Sequence, residues 1–290
     1  MRRRLMAWST LVVAVAIGAL ALIARTSTSF DASGSDPEVL RAGYALEAPW
    51  AYRDGGGTLR GEAVETLRAA LQRAGMREPM WIHMEFPRLL HELQSGRIDV
   101  IAAGMFITPE RAAQVDFTHP TTSVRTGLLV PRGNPLGLHA LADLRRAGTA
   151  PLAVLDGAVE LEQAREAGLT DAQVLRLPDP ESAIAAVRSG QAAAFALSAP
   201  SLRWIARDAS ALALVEPFAT PQREGQPDIG YPAFAFRPGD VRRARIDQAL
   251  SSYLGSSEHL RAIAGYGFNA DDVAAAYGMR PTIRAGSVQP

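Results

Sequence analysis

Arg111 lies in the stretch GMFITPERAAQVDFTHP, Gly104 to Pro120, which follows an apolar run. A guanidinium is a planar fork of donors that holds a carboxylate bidentately. The four residues Thr108-Pro109-Glu110-Arg111 supply an N-cap hydroxyl, a proline at the first helical position and an acid in the first turn. A helix is therefore expected to begin there, with free backbone N–H groups suited to an anion. On the residues alone two readings stand: a carboxylate clamp in a cleft, or a surface ion pair with Glu110 or Asp116. Three aromatics, Trp50, Phe86 and Phe106, either pack a core or offer ring faces to a cation.

Other chemistry is thinly represented. The 290 residues include no cysteine, so disulfides, thiolate metal sites and cysteine nucleophiles are excluded. His83, His91, His119, His139 and His259 show no metal-ligand spacing, so neither metal nor cofactor is expected. The formal net charge is zero and all the basic residues are Arg, so no basic field points to nucleic acid. The basic stretch VRRARIDQAL alternates with apolar positions and reads as a solvated helix face.

The N-terminus speaks to compartment. MRRRLMAWSTLVVAVAIGALALIARTSTS places three arginines before an uncharged run from Leu5 to Ala24, then small polar residues. Residues 1–29 are thus a signal peptide or, given the length of the run, a retained membrane anchor. Either way the remainder is expected outside the cytoplasm. Cleavage after Ser29 leaves 26 basic against 30 acidic side chains, a net −4.

These candidates need elements to position them. From Val39 short apolar runs alternate with helical patterns, the signature of α/β architecture. In GEAVETLRAALQRAG, Ala63, Leu67, Ala70, Leu71 and Ala74 share one helical face and Gly75 is the stop. FPRLLHELQSG is a second helix, and IDVIAAGM reads as a buried parallel strand. The order helix, Ser-Gly, apolar strand, small-residue loop occurs twice, in LLHELQSGRIDVIAAGM and AIAAVRSGQAAAFALSA. Two similar halves follow, with RTGLLVPRGNP leaving the first and YPAFAFRPGD returning to it. The expected division is residues 38–128 with 233–276 as lobe one, 129–232 as lobe two, and 277–290 as a tail without apolar periodicity. Two crossings make a two-stranded hinge and a cleft that closes on ligands.

The runs GYALEAPWAY, PRLLHELQSGRIDVIAAGM, FITPERAAQVDFTHP and YPAFAFRPGD resemble the periplasmic amino-acid-binding proteins of ABC importers. These are the polar amino-acid, or family 3, solute-binding proteins, and the resemblance spans roughly Val39 to Phe268. Within them the chain is most similar to the ectoine/hydroxyectoine-binding branch, which shares GMFITPER, an E-x-P-aromatic loop after the first strand and an aromatic before the second helix. The resemblance implies a two-lobed type II periplasmic-binding-protein fold, each lobe a mixed sheet flanked by helices. It implies a monomer that captures a small zwitterion and presents it to a membrane permease. Arg111 would hold the ligand carboxylate with help near Thr108. Trp50, Phe86 and Phe106 would box a diffuse cation, with Glu47 and the Gly104 carbonyl accepting from it.

The chain also departs from the family. Ser198 stands where amino-acid binders carry the acid that grips an ammonium, which suits a ring whose charge is spread over an amidinium. Ala158 and Val159 offer no hydroxyl where lobe two would meet the carboxylate, and Pro180 replaces a polar residue. Two other readings share the fold: a cyclohexadienyl-dehydratase-like enzyme, for which Glu47 and Glu160 are the acids near the cleft, and a membrane-tethered sensor.

Overall fold

Alternating strands and helices build two mixed sheets, joined by two crossings of the chain. The computed structural model describes residues 39–146, 150–223 and 225–277, so the expected leader and the tail beyond Tyr277 lie outside the described residues. Among those described, no helix is long and apolar enough to cross a membrane.

The first sheet begins with β1 (Arg41–Tyr44), which lies parallel to β4 (Met80–His83) and β5 (Val100–Ile101). A small antiparallel pair, β2 (Tyr52–Arg53) and β3 (Leu59–Arg60), leads into helix α1 (Glu62–Arg73). Helix α2 (Leu89–Gln94), entered through a 3₁₀ turn at Phe86–Arg88, feeds β5. Past β5 come α3 (Pro109–Ala112) and β6 (Asp116–Phe117). The apolar face expected of α1 is the one it buries: Ala63, Leu67, Ala70 and Leu71 pack with Leu40, Val100 and Phe236. Each large side chain so buried contributes about 1.5–3 kcal/mol.

The chain crosses between Thr118 and Ser123 into β7 (Val124–Pro131), the antiparallel member of the second sheet. That sheet adds β8 (Leu152–Leu155), helix α4 (Glu160–Glu166), β9 (Val174–Leu177), helix α5 (Pro180–Ser189) and β10 (Ala194–Ser198). Helix α6 (Ala199–Asp208) and β11 (Leu212–Leu214) follow, with β10 and β11 both antiparallel to β7. A ribbon of β12 (Gln222–Arg223) and β13 (Gln226–Pro227) precedes β14 (Ile229–Gly230), which pairs with the first residues of β7. That pair is the two-stranded hinge. The return strand β15 (Ala235–Phe236) lies antiparallel to β5 and β6 in the first sheet. Helices α7 (Val241–Tyr253), α8 (Ser257–Ala264) and α9 (Ala270–Tyr277) are the last of the described elements, with α7 against α1.

The repeated phrase is the same unit twice. Gly96 and Gly190, which end α2 and α5, take φ of +75° and +77°, the left-handed conformation that stops a helix. Each is followed by a strand running into the interlobe cleft. Residues 102–105 continue past β5 as mostly buried loop rather than as strand, because only Val100 and Ile101 have ladder partners on both sides, and Phe106 makes one isolated antiparallel bridge to Pro232.

Candidate functional site

The carboxyl ends of the parallel strands β1, β4, β5, β8 and β10 point their following loops into one space, as strand ends do in open α/β sheets. From the first sheet come Glu47, Trp50, Phe86, Gly104, Phe106 and Arg111. The second sheet supplies Ala158, Val159 and Ser198, joined by Leu155, Glu160 and Leu197. Thr108 stays behind this wall, where its hydroxyl accepts from the Arg111 amide at 3.3 Å and starts α3. The free space between the lining residues measures about 30 Å³, room for a water or two.

Arg111 pairs with neither Glu110 nor Asp116. It is buried, and its Nη1 donates to the Phe106 carbonyl at 2.8 Å. Its Nη2 donates across the cleft to the Gly157 carbonyl at 2.9 Å. The Cζ atom stands 5.7 Å from the Phe86 ring centre, within cation–π range. Burial lowers its pKa, opposed by the carboxyl groups of Glu160 and Glu110.

The tryptophan is fixed by what surrounds it. Trp50 is fully buried and packs on Phe268 at 5.0 Å between ring centres. A Cβ at Gly104, where φ is +63°, would stand 2.6 Å from Trp50 Cδ2. Gly104 is thus required both for its backbone conformation and for the close approach of the indole. Gly230, on the hinge strand, plays the second part for Phe106: a Cβ there would be 2.3 Å from the ring. These glycines let the aromatic walls press against backbone.

A second set of hydrogen bonds crosses the cleft. Trp50 Nε1 meets Ser198 Oγ at 3.4 Å, the Ser198 and Ser201 hydroxyls are 2.8 Å apart, and Ser201 Oγ donates to Glu47 Oε1 at 2.8 Å. Burial pushes the Glu47 carboxyl up to about 8; the Ser201 hydrogen bond draws it back, and Glu160 adds to the rise. Burial likewise lifts Glu160 to about 7, with its own amide and Arg111 holding it down. The site therefore holds one guanidinium and two carboxyl groups that keep protons near neutral pH.

Ser201 and Gly157 were absent from the expected set of site residues, and Glu160 was expected near the cleft only on the enzyme reading. Ser201 follows Ser198 by three positions on the helix that starts there, so both face one way. Glu160 opens α4 after the β8 loop, as Glu110 follows the β5 loop. The Gly157 carbonyl carries no side-chain signal at all.

Two lobes, a pair of crossing strands and polar groups gathered at strand ends define a two-lobed fold with a candidate binding cleft. Residues 40–266 match the family model of bacterial extracellular solute-binding proteins, family 3, and the chain belongs to that family. It is 30% identical over 246 residues to the probable amino-acid ABC transporter periplasmic-binding protein y4tE of Sinorhizobium fredii, covering 82% of this chain and 81% of that one. Among solved structures it is similar to EhuB in complex with hydroxyectoine, with 28% identity and a TM-score of 0.75 over 83% of this chain and 92% of the other. The ancestral amino-acid-binding protein AncCDT-1, a precursor of cyclohexadienyl dehydratase, shares the fold at 22% identity and a TM-score of 0.68, covering 79% and 95%.

Proposed function

We propose that this protein captures a small zwitterionic carboxylate, of the ectoine or hydroxyectoine kind, for an ABC importer. The observation that carries the reading is the buried Arg111 guanidinium facing Trp50, Phe86 and Phe106, with a serine rather than an acid at position 198. A ligand carboxylate takes two Arg111 donors and displaces the Gly157 carbonyl. The other end of the ligand, with its positive charge spread over ring atoms, lies against the aromatic faces. Glu47, ionised by the approaching cation, accepts from its N–H groups. A cavity of about 30 Å³ cannot admit such a molecule, so the lobes part about the β7–β14 hinge and close again over it. The closed form is what a permease reads. Calorimetric titration of the protein with ectoine, hydroxyectoine and a panel of amino acids tests this. Micromolar or tighter ectoine binding is expected; binding of ordinary amino acids alone contradicts the ligand assignment.

A second reading is favoured by the protonated carboxyl of Glu47. A buried acid that holds its proton near pH 7 is equipped for general-acid catalysis. On this reading a cyclohexadienyl carboxylate loses water and carbon dioxide in the cleft. Incubation with such a substrate and assay of carbon dioxide release decides it: turnover supports the reading, and none removes it.

A further inference from the structure

Outside the Arg111 cavity the two lobes meet a second time, through aromatic rings. Tyr52 on β2 and Tyr266 after α8 belong to the first lobe, while Trp204 stands on α6 of the second. The Tyr52 and Trp204 ring centres are 5.0 Å apart, Tyr52 and Tyr266 meet edge-on at 6.2 Å, and Trp204 and Tyr266 lie 6.5 Å apart. All three distances fall in the range where aromatic pairs attract beyond their burial. Arg207, one turn beyond Trp204, lies 4.8 Å over its ring. That guanidinium also reaches the first lobe, where a Cβ at Gly267 would be 3.6 Å from its Nη2. Each of the three rings is half-buried, and the rings on opposite lobes shield one another.

From this contact we infer that Tyr52, Trp204 and Tyr266 form an interlobe clasp that sets how readily the cleft closes, and so the affinity for every ligand, without touching any of them. None of the three lines the cavity around Arg111, so the clasp can change affinity without changing selectivity. Rotation about the β7–β14 hinge separates Trp204 from both tyrosines and wets the ring faces, which favours the closed arrangement. Apparent affinity scales with the fraction of molecules able to close. The inference rests on the reading that the lobes close over a ligand.

The test separates the two. The chain has no cysteine, so Gln72→Cys with Gln191→Cys places one spin label on each lobe without a competing thiol. Interlobe distances are then measured in this background and in Trp204→Ala, Trp204→Phe and Tyr266→Ala, each checked for an intact fold by circular dichroism. Trp204→Ala and Tyr266→Ala are expected to shift the distribution to longer distances. Trp204→Ala combined with Tyr266→Ala should go little further than either single variant, and Trp204→Phe should restore most of the short population. Where a probe, ectoine or L-arginine, binds the parent, Trp204→Ala should weaken it on the order of tenfold, chiefly through faster release and by the same factor for both. An unchanged distance distribution in a folded Trp204→Ala protein overturns the clasp. So does a weakening confined to one probe. If Trp204→Ala does not fold, Tyr52→Ala decides from the opposite lobe. Failure of both probes to bind the parent counts against the ligand reading alone, because the distance measurement still decides the clasp.

Discussion

Replacing Ser198 with Asp puts back the acid that amino-acid binders of this family are expected to use for an ammonium group. Ser198 lines the cavity, is buried, and bonds Ser201 Oγ at 2.8 Å and Trp50 Nε1 at 3.4 Å. An ionised Asp can still accept from the indole but cannot donate to Ser201, whose proton goes to Glu47; losing that bond costs about 1 kcal/mol, a cost shared by every ligand. A third carboxyl beside Glu47 and Glu160 further favours their protonated forms, and this too is common to all ligands. What differs between ligands is the new charge-assisted bond. A localised ammonium gains about 1.5–3 kcal/mol from it. A delocalised ring cation, already against the aromatic faces, gains much less. The ratio of amino-acid to ectoine affinity should therefore rise by about tenfold to 150-fold in Ser198→Asp. Calorimetric Kd values for both ligand types, on protein whose thermal midpoint has been checked, give the ratio directly. An unchanged ratio in a folded variant would refute the idea that position 198 decides how the cation is held.

Other consequences follow from the same geometry. Phe106→Ala removes a buried ring from the cavity wall and should weaken binding by about 1–3 kcal/mol, read as a rise in Kd. Gly104→Ala forces a side chain into left-handed backbone and against the Trp50 indole, so it should lose about 2–4 kcal/mol in urea denaturation. The pH dependence has a definite sign. Glu47, Glu62 and Glu160 have folded pKa values raised to about 8, 7 and 7, above an ordinary value of 4.5. The folded protein therefore holds more protons than the unfolded chain, and the stability these groups provide is full below pH 4.5 and lost as pH rises through 7 to 8. His259, lowered by burial to about 4, acts oppositely: its contribution is present above pH 6.5 and lost as pH falls through 4. The urea midpoint should fall between pH 6.5 and 8, and Glu47→Gln should flatten that fall; a midpoint that rises over this interval contradicts the burial of these acids.

How much of this was legible in the residues varies with the range of the interaction. The cap at Thr108, the buried face of α1 and the paired Ser-Gly helix ends are local, fixed by backbone geometry within a few positions, and they could be read from the string. Two similar halves follow from the repeat. Contacts across the cleft are another matter. Ser201 meets Glu47 at a separation of 154 residues, and Arg111 meets a backbone carbonyl 46 residues away. Nothing in either neighbourhood marks the partner. The Tyr52, Trp204 and Tyr266 contact was illegible for the same reason, since no periodicity links three residues on separate elements. Strand lengths were also harder to see: apart from Asp99, IDVIAAGM is apolar because it is buried, whether or not it is laddered.

The most direct test of the account is ectoine titrated into wild-type protein and Arg111→Ala side by side. If Arg111 is the carboxylate clamp, the wild type binds with a micromolar or tighter Kd and the variant, still folded, gives no binding heat. Equal Kd values in the two proteins would mean that the ligand's carboxylate is held elsewhere and that the central assignment is wrong.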